Sequence, residues 1–183
     1  MLSGFARLRL VLGAVVLGMV AGASPTQAQS AAQTVTLGPS GLPLPRFVSL
    51  KSSRVNSRIG PGLNYSVGWM YTRAGLPMEI VQEYDTWRKV RDADGSEGWI
   101  NQSLLSGKRT AIVAPWQRDK SGTIKLLGKP DKSATVVALV EPGVMGTIRS
   151  CDGTWCQMTL GGHTGWIEQT LLWGAYPGEK IKD

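Results

Sequence analysis

The stretch Asp85-Thr86-Trp87-Arg88-Lys89-Val90, continued by Gly98-Trp99-Ile100-Asn101-Gln102-Ser103-Leu104-Leu105, is spelled a second time. The second spelling is Gly153-Thr154-Trp155-Cys156-Gln157-Met158 and then Gly165-Trp166-Ile167-Glu168-Gln169-Thr170-Leu171-Leu172. Thr-Trp, Gly-Trp-Ile and Leu-Leu recur in the same order, with the second Trp 12 positions after the first in one copy and 11 in the other. A phrase repeated at fixed spacing marks one folding unit used twice. The repeat predicts a first domain over residues 46–113 and a second over 114–176, each of roughly 65 residues, near the lower limit for burying a core alone. Residues 29–45, rich in Ala, Gln, Gly and Pro, read as a flexible leader, and the Pro-initiated residues 177–183 as a fraying tail.

Inside each unit the apolar residues come in short runs closed by Gly, Pro or Asp. In the first, Phe47–Leu50, Val67–Thr72, Met78–Glu83, Trp87–Arg91 and Gly98–Ile100 read as strands, and Gly60-Pro61-Gly62 forces a turn. In the second, the strands are Ile124–Gly128, Thr135–Val140, Val144–Arg149, Trp155–Leu160 and Gly165–Ile167, with turns at Lys129-Pro130-Asp131 and Glu141-Pro142-Gly143. Beyond the first residues, no stretch keeps a period of 3.6 over three turns. The fold class expected is therefore all-β, two tandem small barrels of about five short strands each.

The N-terminus reads as an export address. Arg7 and Arg9 precede the apolar run Leu10–Ala23, and Thr26-Gln27-Ala28 offers a small-residue cleavage site, so removal near Ala28 is expected. That apolar run is shorter than the roughly 20 residues a spanning helix needs, which argues against a stable membrane anchor. The formal charge of +7 falls to +5 once Arg7 and Arg9 are gone. In a periplasmic or secreted protein, a mild basic surplus favours acidic envelope polymers rather than nucleic acid; the alternative is that it serves solubility alone.

The order Val55-Asn56-Ser57-Arg58-Ile59-Gly60-Pro61-Gly62, then Trp-x-x-Val, a turn, Gly-Trp-Ile and a closing Leu-Leu, resembles bacterial SH3-like (SH3b) domains. The tandem, signal-bearing arrangement is similar to SH3 proteins of proteobacterial envelopes. The resemblance covers about residues 46–173 and is stronger in the first copy. In the second, Leu126-Leu127-Gly128 stands where the first has Ser57-Arg58-Ile59. The resemblance implies a strongly bent five-stranded barrel with a single 3-10 turn near Gln102–Leu105 and near Gln169–Leu172.

Strand alternation sets Val90 and Met158 on one face and Trp87 and Trp155 on the other. If Val90 and Ile100 point inward, Trp87 points outward. In SH3 domains that bind Pro-rich peptides, the comparable Trp shares a groove with a Pro and a Tyr; here those positions are Asn101 and Leu104, or Glu168 and Leu171, which argues against polyproline recognition. Trp87 and Trp155 are thus either a ligand surface or a seal between strands or barrels. Gly98, Trp99, Ile100, Gly165, Trp166 and Ile167 are expected to be structural.

Cys151 and Cys156 flank Asp152-Gly153-Thr154-Trp155, and in an exported protein they are expected to form a cross-strand disulfide worth about 2 kcal/mol. His163 adds too few ligands for a metal site, and no cofactor is implied. A Cys–His nucleophile would need a free thiolate in a cleft, so no enzymatic activity is expected. The resulting expectation is a non-catalytic, exported binding module for a cell-wall polymer, peptidoglycan glycan or stem peptide. Its candidate ligand-binding residues are Trp87, Arg58, Tyr84, Arg88 and Trp155. An adaptor for an envelope protein and a purely structural tandem barrel remain as alternatives.

Overall fold

A computed structural model describes residues 36–182; the expected signal peptide and the first part of the leader lie outside the described residues. The strands, in chain order, are β1 (Thr36–Leu37), β2 (Pro43–Leu44), β3 (Arg46–Leu50), β4 (Val55–Arg58), β5 (Val67–Tyr71), β6 (Pro77–Tyr84), β7 (Trp87–Arg91), β8 (Glu97–Asn101) and β9 (Leu105–Ser106). They continue with β10 (Thr110–Val113), β11 (Ile124–Leu127), β12 (Val136–Val140), β13 (Met145–Asp152), β14 (Trp155–Leu160), β15 (His163–Glu168), β16 (Leu172–Trp173) and β17 (Lys180–Ile181). Single 3-10 turns at Gln102–Leu104 and Gln169–Leu171 lie where the resemblance implies them.

The fold is all-β, two small bent barrels in tandem, and the repeat governs its topology. One sheet runs β5-β4-β8-β7-β6-β3-β9 and the other β12-β11-β15-β14-β13-β10-β16, which is the same order strand for strand. Bulges recur at matching places, between Ile80 and Gln82 on β6 and between Ile148 and Ser150 on β13. An extra residue on one strand bends it, which curls each sheet around its own core. Leu50, Val55, Ile80, Val90 and Ile100 fill the first core; Val113, Ile124, Ile148, Met158 and Ile167 fill the second.

The repeated phrase has a mechanical reading. Gln102 and Gln169 each donate a backbone N–H, at 2.8 Å, to the carbonyl of Thr86 and of Thr154. The Thr-Trp pair thereby fixes the 3-10 turn that follows Gly-Trp-Ile. The glycines are needed because β4 and β11 cross close over β8 and β15. A Cβ on Gly165 would lie 2.7 Å from the Leu127 carbonyl oxygen, and one on Gly98 would run into the Ser57 hydroxyl.

Three sequence expectations need correction. Thr110–Val113, assigned by spacing to the end of the first unit, pairs with β13 and β16 and so opens the second barrel. The leader is folded from Thr36: β1 and β2 form a hairpin whose Ser40 donates its N–H and hydroxyl to Glu83 at 2.9 and 2.8 Å. The tail is held as far as Ile181, because β17 pairs with β13 beside Cys151, and the Gln169 side-chain amide donates to the Tyr176 and Glu179 carbonyls at 2.6 and 2.8 Å. For the leader and the tail local composition suggested loop, and in all three cases long-range partners settled the segment.

The C-terminal return also closes a seam between the barrels. Phe47 meets Trp173 edge-on at 5.1 Å and Tyr176 at 4.7 Å between ring centroids. The Tyr176 hydroxyl donates to the buried Glu79 carboxylate at 2.9 Å, and the Thr110 hydroxyl donates to the Gly75 carbonyl at 2.7 Å. Burial, followed by the Glu79 carboxylate, raises the Tyr176 phenol above its ordinary range. Cys151 and Cys156 are joined in a disulfide across the β13–β14 hairpin.

Candidate functional site

The residues singled out from sequence do not form one site. Tyr84 and Trp87 are cross-strand partners at the β6–β7 turn, and Glu83 and Arg88 are the next pair along. Arg58 lies across the sheet on β4, opposite Trp99, with its guanidinium donating to the Tyr65 carbonyl at 2.6 Å. Trp155 belongs to the other barrel.

Nor is the Trp87 face open. Trp87 is 9% exposed and Trp155 8%, although alternation does set both opposite the inward Val90 and Met158. Parity fixes a side chain's direction without fixing its exposure, and both indoles are covered although neither belongs to a core cluster. Arg88, expected beside a ligand, is buried and consumed internally. It donates to the Asp85 and Trp87 carbonyls at 2.8 and 2.9 Å and faces Glu83 at 3.2 Å. Glu83 also receives Arg46 at 2.6 Å. Burial alone raises the Glu83 carboxyl, but the Ser40 amide, Arg46 and the Ser40 hydroxyl outweigh it and hold the pKa at about 2. This charge cluster clamps the β1–β2 hairpin to the first barrel. Of the first-barrel candidates, Tyr84 alone is largely exposed, at 60%.

The second barrel offers a cleft of about 430 Å³ beside Trp155. Ile124 and Leu127 of β11 and Leu171 of the 3-10 turn give it apolar walls. Lys125, Lys132 and Glu168 stand at its rim, Lys132 bridging to Glu168 at 3.1 Å. Trp155 and Glu168 are cross-strand partners, so the strand pairing that forms the barrel also brings both to the cleft side by side. The cleft can therefore hold a small ligand carrying both an amine and a carboxylate over an apolar floor. Sequence reasoning reached Trp155 as a candidate, named Glu168 and Leu171 only as positions arguing against a polyproline groove, and did not reach Lys125 or Lys132. Lys132 follows Lys129-Pro130-Asp131, which signalled a turn and nothing more.

A second feature went unread. β5 and β12 are the end strands of their sheets, and each turns apolar side chains outward: Val67 and Trp69 on one, Val136, Val137 and Leu139 on the other. Trp69 is 63% exposed and so is Leu139. Neither strand alternates, since neighbouring residues such as Val136 and Val137 are exposed together, so no period-2 pattern marked either as an edge.

Among the described residues no group of three or more His, Cys, Asp or Glu could hold a metal, and no helix is long and apolar enough to cross a membrane. With both cysteines in the disulfide, neither supplies a free thiol.

No curated protein sequence is significantly similar to this chain. Among solved structures, NlpC2 and NlpC1 from Trichomonas vaginalis are each 14% identical, over 70% and 75% of this chain, with TM-scores of 0.31 and 0.32. The chain spans about half of each, 48% in both cases. The family model for the bacterial SH3 domain matches residues 51–107 and 120–174, one match in each barrel. The chain therefore belongs to the bacterial SH3 domain family and carries the domain twice.

Proposed function

We propose that this protein is a non-catalytic binding module of the cell envelope, exported to the periplasm or beyond, and that it recognises peptidoglycan through the cleft beside Trp155. The observation that carries the reading is the pairing of Lys132 and Glu168 across the rim of an apolar cleft floored by an indole. A stem peptide presents an amine and a carboxylate on a short, partly apolar chain, and that pattern matches the rim and floor. The disulfide fits an oxidising compartment. The exposed Lys132–Glu168 pair contributes little to stability, so a ligand can replace it at small cost.

Co-sedimentation with purified cell-wall sacculi tests this. Lys132→Ala and Glu168→Gln, both at partly exposed positions, are each expected to cut the pelleted fraction severalfold while leaving the fold intact. Undiminished binding by both variants would remove the cleft from consideration.

The edge strands favour a second reading, docking of an envelope protein by strand addition to β5 or β12. Such an apolar contact persists as salt rises, whereas a charge-led contact with sacculi weakens.

A further inference from the structure

A group of cations with few carboxylate partners lies at the junction of the barrels, away from the Trp155 cleft. Two cavities of about 450 and 530 Å³ share Lys108, Thr147 and Thr159 and so form one trough. Lys51 lies toward one end and Arg109, Arg149 and Lys182 toward the other. No carboxylate lines either part. Arg109 is spoken for, its guanidinium forked onto Glu179 at 2.6 and 3.0 Å. Among the described residues, Lys51, Lys108 and Arg149 have no carboxylate partner. Lys51 donates only to the Ser103 carbonyl at 3.0 Å, and Arg149 to the Thr159 hydroxyl at 3.3 Å. The hydroxyl-bearing residues Ser49, Ser106, Thr147 and Thr159 stand among them.

Cations gathered along a concave surface repel one another and focus a positive potential, which a multiply charged anion relieves. The donors on offer select its shape. The Arg109 fork is occupied by Glu179, and what remains is the ammonium groups of Lys51, Lys108 and Lys182, the Arg149 guanidinium and hydroxyls, approaching from several directions. That set suits tetrahedral oxyanions. We infer that the trough between the barrels is a binding site for an anion carrying two or more phosphate groups, separate from the Trp155 cleft, with which it shares no lining residue. Because β3 and β9 border it from one barrel and β10 and β13 from the other, the site exists only in the tandem.

The test is calorimetric titration of the full chain with sodium tripolyphosphate, with amide chemical shifts followed in parallel. A parallel arm uses phosphatidylglycerol vesicles to learn whether the phosphate is membrane-borne or free. The expected result is saturable binding of tripolyphosphate that weakens as salt rises, with shifts concentrated at residues 107–109 and 147–149. The Lys108→Ala/Arg149→Ala double variant is expected to lose about tenfold in affinity. The Lys125→Ala/Lys132→Ala pair, which removes the same charge at the other cleft, is expected to bind as the parent does. Vesicle binding lost in the first double variant assigns a lipid headgroup; vesicles left unbound assign a soluble phosphate. The inference is overturned if tripolyphosphate does not saturate, or if both double variants weaken it equally, which would reduce the effect to net charge.

Discussion

Replacing Glu83 by Gln removes one charge, almost without changing shape, from the cluster that clamps the leader hairpin. The parent carboxylate is 1% exposed and holds Ser40, Arg46 and Arg88. A carboxyl held at about 2 in place of its ordinary 4.5 contributes about 3 kcal/mol at neutral pH. Because the folded value is the lower one, that stability is complete above about 4.5 and is lost as pH falls toward 2. Urea unfolding of parent and Glu83→Gln across this range therefore predicts a specific pattern. The parent is more stable by about 3 kcal/mol at pH 7, and the gap closes progressively in acid, where the protonated parent carries the same charge as the variant. Other carboxylates lie low too, Glu97 through its hydrogen bond from Lys89 and Asp152 through the Trp155 and Thr154 amides. They are common to both proteins and cancel in the difference. A gap that stays constant from pH 7 to pH 3 would refute the reasoning, since Glu83 would then act through shape and not charge.

Reduction of the Cys151–Cys156 disulfide, or its replacement by Ser at both positions, is expected to cost about 2 kcal/mol, read as a lower urea midpoint with an unchanged slope. Gly165→Ala is expected to lose about 2 kcal/mol because the new methyl meets the Leu127 carbonyl, a backbone atom that cannot turn aside. At Gly98 the obstacle is the Ser57 side chain, so Ser57→Ala should recover part of the loss from Gly98→Ala in the same assay. Phe47→Ala is expected to cost about 3 kcal/mol. Hydrogen exchange should show protection lost first at residues 173–180, which the ring packs against; loss confined to the first core would count against the seam.

The sequence carried the barrels because their specification is local and said twice. Gly-Trp-Ile encodes a close strand crossing, and Thr-Trp with Gln encodes the bond that sets the 3-10 turn. Trp87–Arg91 and Trp155–Leu160 are strands with the bounds the pattern predicts. What the sequence withheld was non-local. Thr110–Val113 resembles the close of one unit until its partners on β13 are known, and the residues from Pro177 resemble a tail until Gln169 and β13 hold Glu179–Ile181. The candidate site failed in the same manner. Alternation gave Trp87 a direction but not its burial, and Arg88 looked like a ligand-binding cation until Glu83 and its own backbone claimed it.

The aromatic seam imposes an order of events on a chain that emerges from its N-terminus. Each sheet pairs strands that lie near one another in sequence, so the first barrel can assemble while the second is still incomplete. Arg91 serves Glu79 within the first barrel, but Phe47 and the second Glu79 oxygen must wait, because Tyr176, which meets both, lies 97 residues beyond Glu79. Until the last turn of chain arrives, an early-folded barrel carries an uncovered aromatic ring and a carboxylate lacking its phenol partner. A chain ending before Trp173 would keep the first core and hold that unfinished surface permanently, so premature termination should yield a folded but adhesive fragment.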